Sequence, residues 1–543
     1  MASPGETAPV LIAGAGPVGM TCALALARQG VRSVLFERNP DTTRHPKMDI
    51  TNGRSLELFR QLGLAEKLRD VAVPRDHVLD VAWVTSMAGH ELHRFHYPSP
   101  NEARARSARL NDGRQPLEPH MRVSQVVIEP VLKQAVLDEP LIEAHWGVAV
   151  EGVSQDSECV TFDVRNQQSG EAQQVRGLFA IGCDGGSSIV RQAMGIAVDG
   201  RHAVANRFMI HFRSDAKEVL QRFGTAWHYQ SPRGTLIAQD DREVYTLHAR
   251  FPEGTDTTNV DPLPTLFAAL GCEIPAEILV ANPWTPCLLL AERYRSGRVF
   301  LAGDAAHQYI PTGGYGMNTG IGDACAVAWQ LAAVLQGWGG PGLLDAYEAE
   351  RRPVGLANRD WSERHTGVRI EIAEAYAANP DAETDADQRQ RLARMIAAAG
   401  NVENEALGLE FAYRYDKSPV VAPILTGEKS SAPAEDILTI PGAAWPGMRA
   451  PHLFCDDGVA IYDKLAVRGM TLLRLNQSAD VEPFQQAAAK AGMPLKLIDI
   501  PSDRARDIYG ADLALVRPDQ HLAWRGNTAD LKAFHIARGV RPE

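Results

Sequence analysis

Three short clusters carry residue types at spacings that do chemistry. The first is Gly14-Ala15-Gly16-Pro17-Val18-Gly19, a GxGxxG run closing the apolar stretch VLIAGAG. In this pattern the first glycine permits a tight turn. The second lets backbone approach a pyrophosphate, and the third lets helix and strand pack closely. A helix from about Gly16 to Gly30 would add about half a positive charge at its N-terminus, which favours a diphosphate. Glu37 closes the next apolar run, SVLFE. A carboxylate there accepts hydrogen bonds from an unphosphorylated ribose diol, which points to FAD or NAD rather than NADP. The second cluster is Gly303-Asp304, at the end of RVFLAGD, followed by Pro311-Thr312-Gly313-Gly314-Tyr315-Gly316-Met317-Asn318. Asp304 is placed to hold a polyol hydroxyl, and the glycines admit a flat ring close to the backbone. The following helix would aim its positive end at that ring, which suits the negative charge of a reduced flavin. The third cluster, Cys183-Asp184-Gly185-Gly186-Ser187-Ser188 with Arg191, reads either as a plain turn between strand and helix or as a further cofactor contact.

Other candidates lie between these clusters. Antiparallel strand patterns contribute His211, Trp227, His228, Tyr229, Tyr245 and His248. Alternation would put Trp227 and Tyr229 on one face, with His228 on the other. Such aromatics can floor a flat pocket or fill a core, and Trp227, Tyr229 and Tyr245 are the substrate-pocket candidates. His307, in GDAAH, reads as structural.

The elements needed to position these residues are legible. A β-α-β unit opens the chain, and the loop RHPKMDITNGR leads into an amphipathic helix. Residues 83–111 read as irregular, and strands of alternating polarity extend to about residue 175. Strands RFMIHF, TAWHYQ, GTLIAQ and EVYTLHAR turn at residues 231–234 and 240–241. A long helix follows near residues 316–336, and helices continue to about residue 399. A final α/β unit carries strands MTLLRL, LKLIDI, LALVRP and HLAWRG. The expected class is α/β. A Rossmann-type cofactor domain (residues 1–75, 105–190 and 288–400) interleaves with an antiparallel-sheet substrate domain (76–104 and 191–287). A connecting segment (401–445) leads to a C-terminal domain (446–543).

Composition bounds the partners. Apolar residues at 45% and charged residues at 22% fit a globular chain. A net charge of -12 with no basic run argues against nucleic acid. Seven scattered cysteines without CxxC argue against a metal site and for a reducing, cytoplasmic setting. The start MASPGETAPV lacks a charged leader, and no apolar stretch reaches membrane-spanning length.

Together the motifs resemble the FAD-dependent aromatic hydroxylases, single-component flavoprotein monooxygenases of the p-hydroxybenzoate and phenol hydroxylase family. The resemblance spans about residues 8–360. It rests on GAGPVG with Glu37, then CDGGSSIVR, then GRVFLAGDAAHQYIPTGGYGMNTGIGDA, with the tail LLDAYEAERRPV. The C-terminal LALVRPDQHLAWRG looks like the thioredoxin-like domain of the phenol hydroxylase branch. Cys455 lacks a CxxC partner, so dithiol chemistry there is excluded.

The resemblance implies that Gly14, Gly16, Pro17, Gly19, Glu37 and Arg38 hold the adenosine and pyrophosphate of a non-covalent, tightly bound FAD. Gln125 matches a family Gln near the flavin. Asp304 would serve the ribityl side, and Pro311 to Asn318, with Gly316 and Met317, would line the isoalloxazine. Asp184 would belong to a motif shared by FAD and NAD(P)H. Lys47 departs from the family's usual Arg, keeping the charge but losing the bidentate fork. Asp49 matches a family Asp beside the substrate hydroxyl, where a carboxylate would activate a phenol for electrophilic attack by a flavin C4a-hydroperoxide. A capping or solvated role for Asp49 is the alternative. The implied activity is hydroxylation of a phenolic compound or aromatic polyketide. NAD(P)H would bind transiently, with O2 as co-substrate, in a monomer or homodimer. Baeyer–Villiger oxidation or epoxidation on the same scaffold is a second reading, and a flavin-binding protein without turnover is a third.

Overall fold

The computed structural model describes residues 8–202, 207–251, 255–423 and 431–541. The N-terminal residues 1–7, read above for a leader, lie outside the described residues. An eight-stranded sheet organises the first layer. Its central strand, Ala8–Ala13, pairs in parallel with Ser33–Glu37 on one side and Ala172–Gly182 on the other. Val299–Leu301 and Ile142–Trp146 extend the parallel set outward. Val10, Leu11 and Ile12 are wholly buried, as expected for a strand covered on both faces.

The first glycine loop shows why glycine is required. Gly14 has φ +93°, and a Cβ there would lie 2.4 Å from the carbonyl oxygen of Cys183. A Cβ on Gly19 would lie 1.9 Å from the oxygen of Gly14, so the helix Pro17–Arg28 rests directly on the loop. That helix packs against Tyr315–Leu335, the long helix that the second cluster opens.

A seven-stranded sheet forms the second layer. Its order runs Glu277–Trp284, Arg207–Arg213, Val244–Arg250, Gly234–Ala238, His228–Ser231, Val81–Val84 and Glu91–Phe95. The turns at residues 231–234 and 240–241 fall where expected. Asp240 Oδ1 closes the second by accepting from the backbone N–H of Arg242, Glu243 and Val244. The stretch expected to be irregular instead contributes the end of Val81–Val84, the edge strand Glu91–Phe95 and the helix Pro100–Leu110. That helix opens with a capping box, Ser99 and Glu102 each bonding the other's backbone N–H, and with Pro100 in its first turn.

The C-terminal unit is a four-stranded mixed sheet ordered Leu495–Asp499, Met470–Arg474, Leu513–Val516, Leu522–Gly526. The first two strands are parallel, and the other pairings are antiparallel. The helices Glu482–Lys490, Asp503–Tyr509 and Leu531–Ala537 belong to the same unit. Among the described residues no helix is long and apolar enough to cross a membrane.

This unit docks through buried charge. Arg517 donates to both oxygens of Glu350, at 2.6 and 2.8 Å, and to Asp519 at 2.5 Å, with Arg517 and Glu350 side chains fully buried. Arg449 grips both oxygens of Glu57, and Arg54 donates to the carbonyl of Asp519 at 2.7 Å. Removing one partner of a buried ion pair strands the other in low dielectric, at a cost of about 3–5 kcal/mol. Glu350→Ala should therefore lower stability by that amount, read as a fall in the urea midpoint of the purified protein. An unchanged midpoint would show that the seam does not depend on this pair.

Candidate active site

Two chambers meet between the layers. The first, about 1140 Å³, is bounded by the glycine loop, Glu37 and Arg38, the 40–50 loop, Asp184, Asp304 and the 308–317 segment. Gly14, Gly16, Pro17, Lys47, Gln125, Pro311, Gly316 and Met317 also line it. Gly19 does not, because its place is against Gly14. Gly16 and Gly316 both line the chamber, and a Cβ on either would meet nothing within 4 Å, so two glycine backbones face open room.

The polar groups suit a dinucleotide. Glu37 Oε2 accepts from the N–H of Ala15 at 2.9 Å, and its Oε1 accepts from the backbone and side chain of Asn39, so the carboxylate is fixed at the strand end. Asp304 is exposed to the chamber though protein surrounds it. That burial raises its carboxyl above the usual range, against the pull of His307 and Lys47. A carboxyl left facing a large cavity at the turn after a buried strand is a ready acceptor for a polyol hydroxyl. Asp184 is already used locally, accepting from Ser188 Oγ at 2.5 Å and from the N–H of Val190 at 3.1 Å. Gln125 donates to Glu129 at 2.7 Å, and its backbone N–H bonds the carbonyl of Met48.

Asn318 does not line the first chamber. Its side chain accepts from the N–H of Asn52 at 3.0 Å and donates to the carbonyls of Ile50, at 3.2 Å, and Gly314, at 2.7 Å. It locks the 50–52 segment to the start of the long helix.

The second chamber, about 970 Å³, lies under the seven-stranded sheet. Residues 47–50 and 310–311 line both chambers, so they form the shared wall. Asp49 sits on that wall. Its Oδ2 accepts from Trp227 Nε1 at 2.5 Å and lies 3.1 Å from His228 Nε2. Burial opposes its charge, but the hydrogen bonds from His228 and Trp227 and the nearby imidazoles win, holding the carboxyl below its usual range. An ionised Asp49 makes His228 Nε2 the donor, and His228 Nδ1 is buried without a hydrogen-bond partner among the described residues.

The aromatic candidates divide. Trp227 lines the second chamber, whereas Tyr229 and Tyr245 do not. The Tyr229 hydroxyl bonds the carbonyl of Gly224 and accepts from the N–H of Ala226, and Tyr245 stacks on Phe212 within the apolar core behind the sheet. The expected pairing of Trp227 with Tyr229 is also corrected. Trp227 precedes the strand His228–Ser231, so the two-residue alternation does not govern it, and it lies against His228 with ring centroids 4.3 Å apart.

Sequence reasoning missed a buried node behind the chambers. Asp323 accepts from the N–H of Gly303 at 3.2 Å, bonds His307 Nε2 at 2.8 Å and accepts from Arg351 Nε at 2.8 Å. Burial opposes the Asp323 charge, and Arg351 and His307 outweigh it. The signal was present, since Asp323 ends GMNTGIGD and Arg351 lies in EAERRPV. Nothing in the local spacing says that they meet. His307 is structural, as its sequence context indicated.

A parallel sheet with a glycine loop facing a dinucleotide-sized chamber defines a nucleotide-binding enzyme fold with a second, substrate-sized compartment. The FAD binding domain family matches residues 7–362, and the aromatic-ring hydroxylase C-terminal family matches residues 443–538. The chain belongs to the FAD-dependent aromatic-ring hydroxylases. It is 36% identical to the FAD-dependent monooxygenase apdD of Emericella nidulans, over 96% of this chain and 87% of that protein. The rebeccamycin biosynthetic enzyme RebC, solved with reduced flavin, superposes with a TM-score of 0.85 at 31% identity, covering 98% of this chain and 99% of RebC. Aklavinone-11 hydroxylase, solved with FAD and aklavinone, gives 0.78 at 27% identity, covering 98% and 99%.

Two tests follow from this geometry. Asp304→Ala should leave the purified protein largely without flavin, since a buried polar contact is worth about 1–3 kcal/mol. Absorbance near the flavin band against protein content measures this, and full flavin content would remove Asp304 from the cofactor site. The second test is a pH profile. With its pKa depressed, Asp49 stays ionised through the usual carboxylate range and loses its charge only at lower pH. His228→Gln removes an imidazole that helps hold that charge, so the acidic limb of turnover should move to higher pH. A limb that stays in place would assign it to another group.

Proposed function

We propose that this protein is a monooxygenase using FAD, NAD(P)H and O2 to hydroxylate a phenolic compound or aromatic polyketide. The observation that carries the reading is the shared wall, where one carboxylate, Asp49, stands between a dinucleotide-sized chamber and a substrate-sized one. When bound in the first chamber, reduced FAD supplies the activated oxygen.

The chain's own residues would do the rest. The glycine loop, Glu37, Arg38 and Asp304 would hold the dinucleotide. Lys47, Gln125, Pro311, Gly316 and Met317 would border its ring end. The helix starting at Tyr315 points its N-terminus there, favouring negative charge on the ring. Asp49 would accept the hydrogen bond of a substrate hydroxyl in the second chamber. With its pKa depressed, Asp49 polarises the phenol more than it removes the proton, and density shifts into the ring either way. Trp227 and His228 would fix its direction. The nicotinamide would bind transiently, with Asp184 as a secondary contact. Seven unpaired cysteines support a reducing, cytoplasmic setting for a monomer or homodimer. The division into cofactor, substrate, connecting and thioredoxin-like segments belongs to the same proposal, supported by the strands Val81–Val84 and Glu91–Phe95 joining the seven-stranded sheet.

Substrate-stimulated NADH and NADPH oxidation across a phenol panel, with mass analysis of products, tests the reading. Stimulation without an added oxygen atom in any product would overturn it. Asp49→Asn keeps shape and removes the anionic acceptor. A hydrogen bond to a charged acceptor is worth about 1.5–3 kcal/mol, so hydroxylation should slow at least about tenfold at normal FAD content. Substrates with more acidic phenols should lose less. Wild-type rates across phenols of differing acidity would return Asp49 to a capping role.

A further inference from the structure

Glu129 lines the first chamber, and nothing above assigns it a task. It is buried and lies four residues after Gln125 on the helix Gln125–Leu137, so the two side chains share one face. Both of its oxygens accept. Oε1 takes the side-chain N–H of Gln125 at 2.7 Å, and Oε2 takes the backbone N–H of Thr43 at 2.8 Å. Burial raises the Glu129 pKa, and these two hydrogen bonds and the charge of Lys47 oppose the rise. A buried carboxylate persists where it is hydrogen-bonded on both oxygens, as this one is.

The two contacts have separate consequences. A carboxylate has no proton to give, so it selects the end of the Gln125 amide that it meets. The NH2 group turns to Glu129, and the carbonyl oxygen turns away. That oxygen bonds no group among the described residues, and Gln125 lines the same chamber. The second contact reaches the loop that carries Lys47. Thr43 is tied to Glu129, and the carbonyl of Met48 accepts from the Gln125 backbone N–H at 3.0 Å. The stretch between them is therefore pinned at both ends to one helix.

We propose that Glu129 is a positioning residue for the flavin: it turns the Gln125 carbonyl oxygen into the chamber, where that oxygen accepts from a ribityl hydroxyl of FAD. Each hydroxyl of a polyol chain has a proton to donate, so an acceptor complements it. Gln125 bonds Met48 on the wall that the two chambers share, which places it toward the ring end of the dinucleotide. The ribose end already has the fixed carboxylate of Glu37. One buried charge then sets both the sense of an amide and the path of the loop beside it.

This inference rests on FAD occupying the first chamber, but its test needs no turnover, so it and the hydroxylase reading fail separately. In Glu129→Gln the Thr43 N–H keeps an acceptor when the new amide turns its oxygen there. The new NH2 then faces Gln125, whose own amide turns over and presents N–H to the flavin. Both hydrogen bonds within the protein survive, while the acceptor in the chamber is lost. Dilution of the FAD-loaded protein, followed by flavin fluorescence, should show FAD held at least about fivefold more weakly in Glu129→Gln and in Gln125→Ala. The double variant should hold FAD no more weakly than Gln125→Ala alone, a non-additivity that a merely structural Glu129 would not produce. ADP, which carries the ribose but no ribityl chain, should bind the FAD-depleted wild type and Gln125→Ala equally. Gln125→Ala leaves Glu129 and Thr43 in contact, so it tests the amide even where Glu129 variants do not fold. Wild-type FAD retention in either single variant, additive losses in the double variant, or an equal loss of ADP affinity overturns the proposal.

Discussion

One side-chain amide ties the two chambers together. Asn318 bonds backbone groups of Asn52, Ile50 and Gly314, so the first turn of the long helix, the short strand at Ile50 and the glycine segment before the helix form one rigid unit. Asn52, held in this way, caps the helix Gly53–Gln61 by accepting from the N–H of Ser55 at 2.9 Å. Asp49 immediately precedes this unit, and its own backbone carbonyl accepts from Val123. The carboxylate direction is thus set by backbone on both sides and by Trp227 and His228 in front. A carboxylate held in this way keeps one direction on the wall between the chambers.

Charge is treated in two opposite ways across the molecule. Under the C-terminal unit, Arg517, Glu350, Asp519, Arg449 and Glu57 are buried and matched, and Trp329 adds a hydrogen bond to Asp519 at 3.1 Å. Matched burial of this type contributes registry more than stability, since the desolvation cost offsets much of the attraction. Under the seven-stranded sheet, Arg250 and Arg207 face each other as like charges. The first arrangement holds parts of the chain to one another. The second sets two guanidinium-bearing residues opposite each other in one antiparallel ladder.

Much of the cofactor chamber was legible in the sequence because its chemistry is local. Gly14, Gly16 and Gly19 act within one turn, and Glu37 and Asp304 sit at strand ends that their own apolar runs define. Asp49 was singled out through resemblance, not spacing, and it lies on the wall that the two chambers share. What failed were contacts that only tertiary packing creates. Tyr229 and Tyr245 turned to the core because the sheet buries that face against Phe212 and its neighbours. Trp227 escaped strand alternation by lying one residue before the strand. The Asp323–Arg351 node and the Arg207–Arg250 pairing join residues far apart in sequence, and no window of local pattern contains either. The helix Pro100–Leu110 is a different case, since Ser99-Pro100 with Glu102 was a readable start signal overlooked in a His- and Arg-rich stretch.

The strand order also bears on how the chain is made. Ala8–Ala13 lies at the middle of its sheet, yet one of its neighbours is Ala172–Gly182, which in turn needs Val299–Leu301. At about 5–20 residues per second on the ribosome, tens of seconds separate the first strand from the last. Until Ala172–Gly182 emerges, VLIA has only Ser33–Glu37 as a strand partner, and the antiparallel sheet then emerges before Val299–Leu301 can join. Long-range parallel pairing of this type is slow and leaves apolar edges exposed. Yield in a foreign host should therefore respond to growth temperature and chaperone supply more than to the stability of the finished protein.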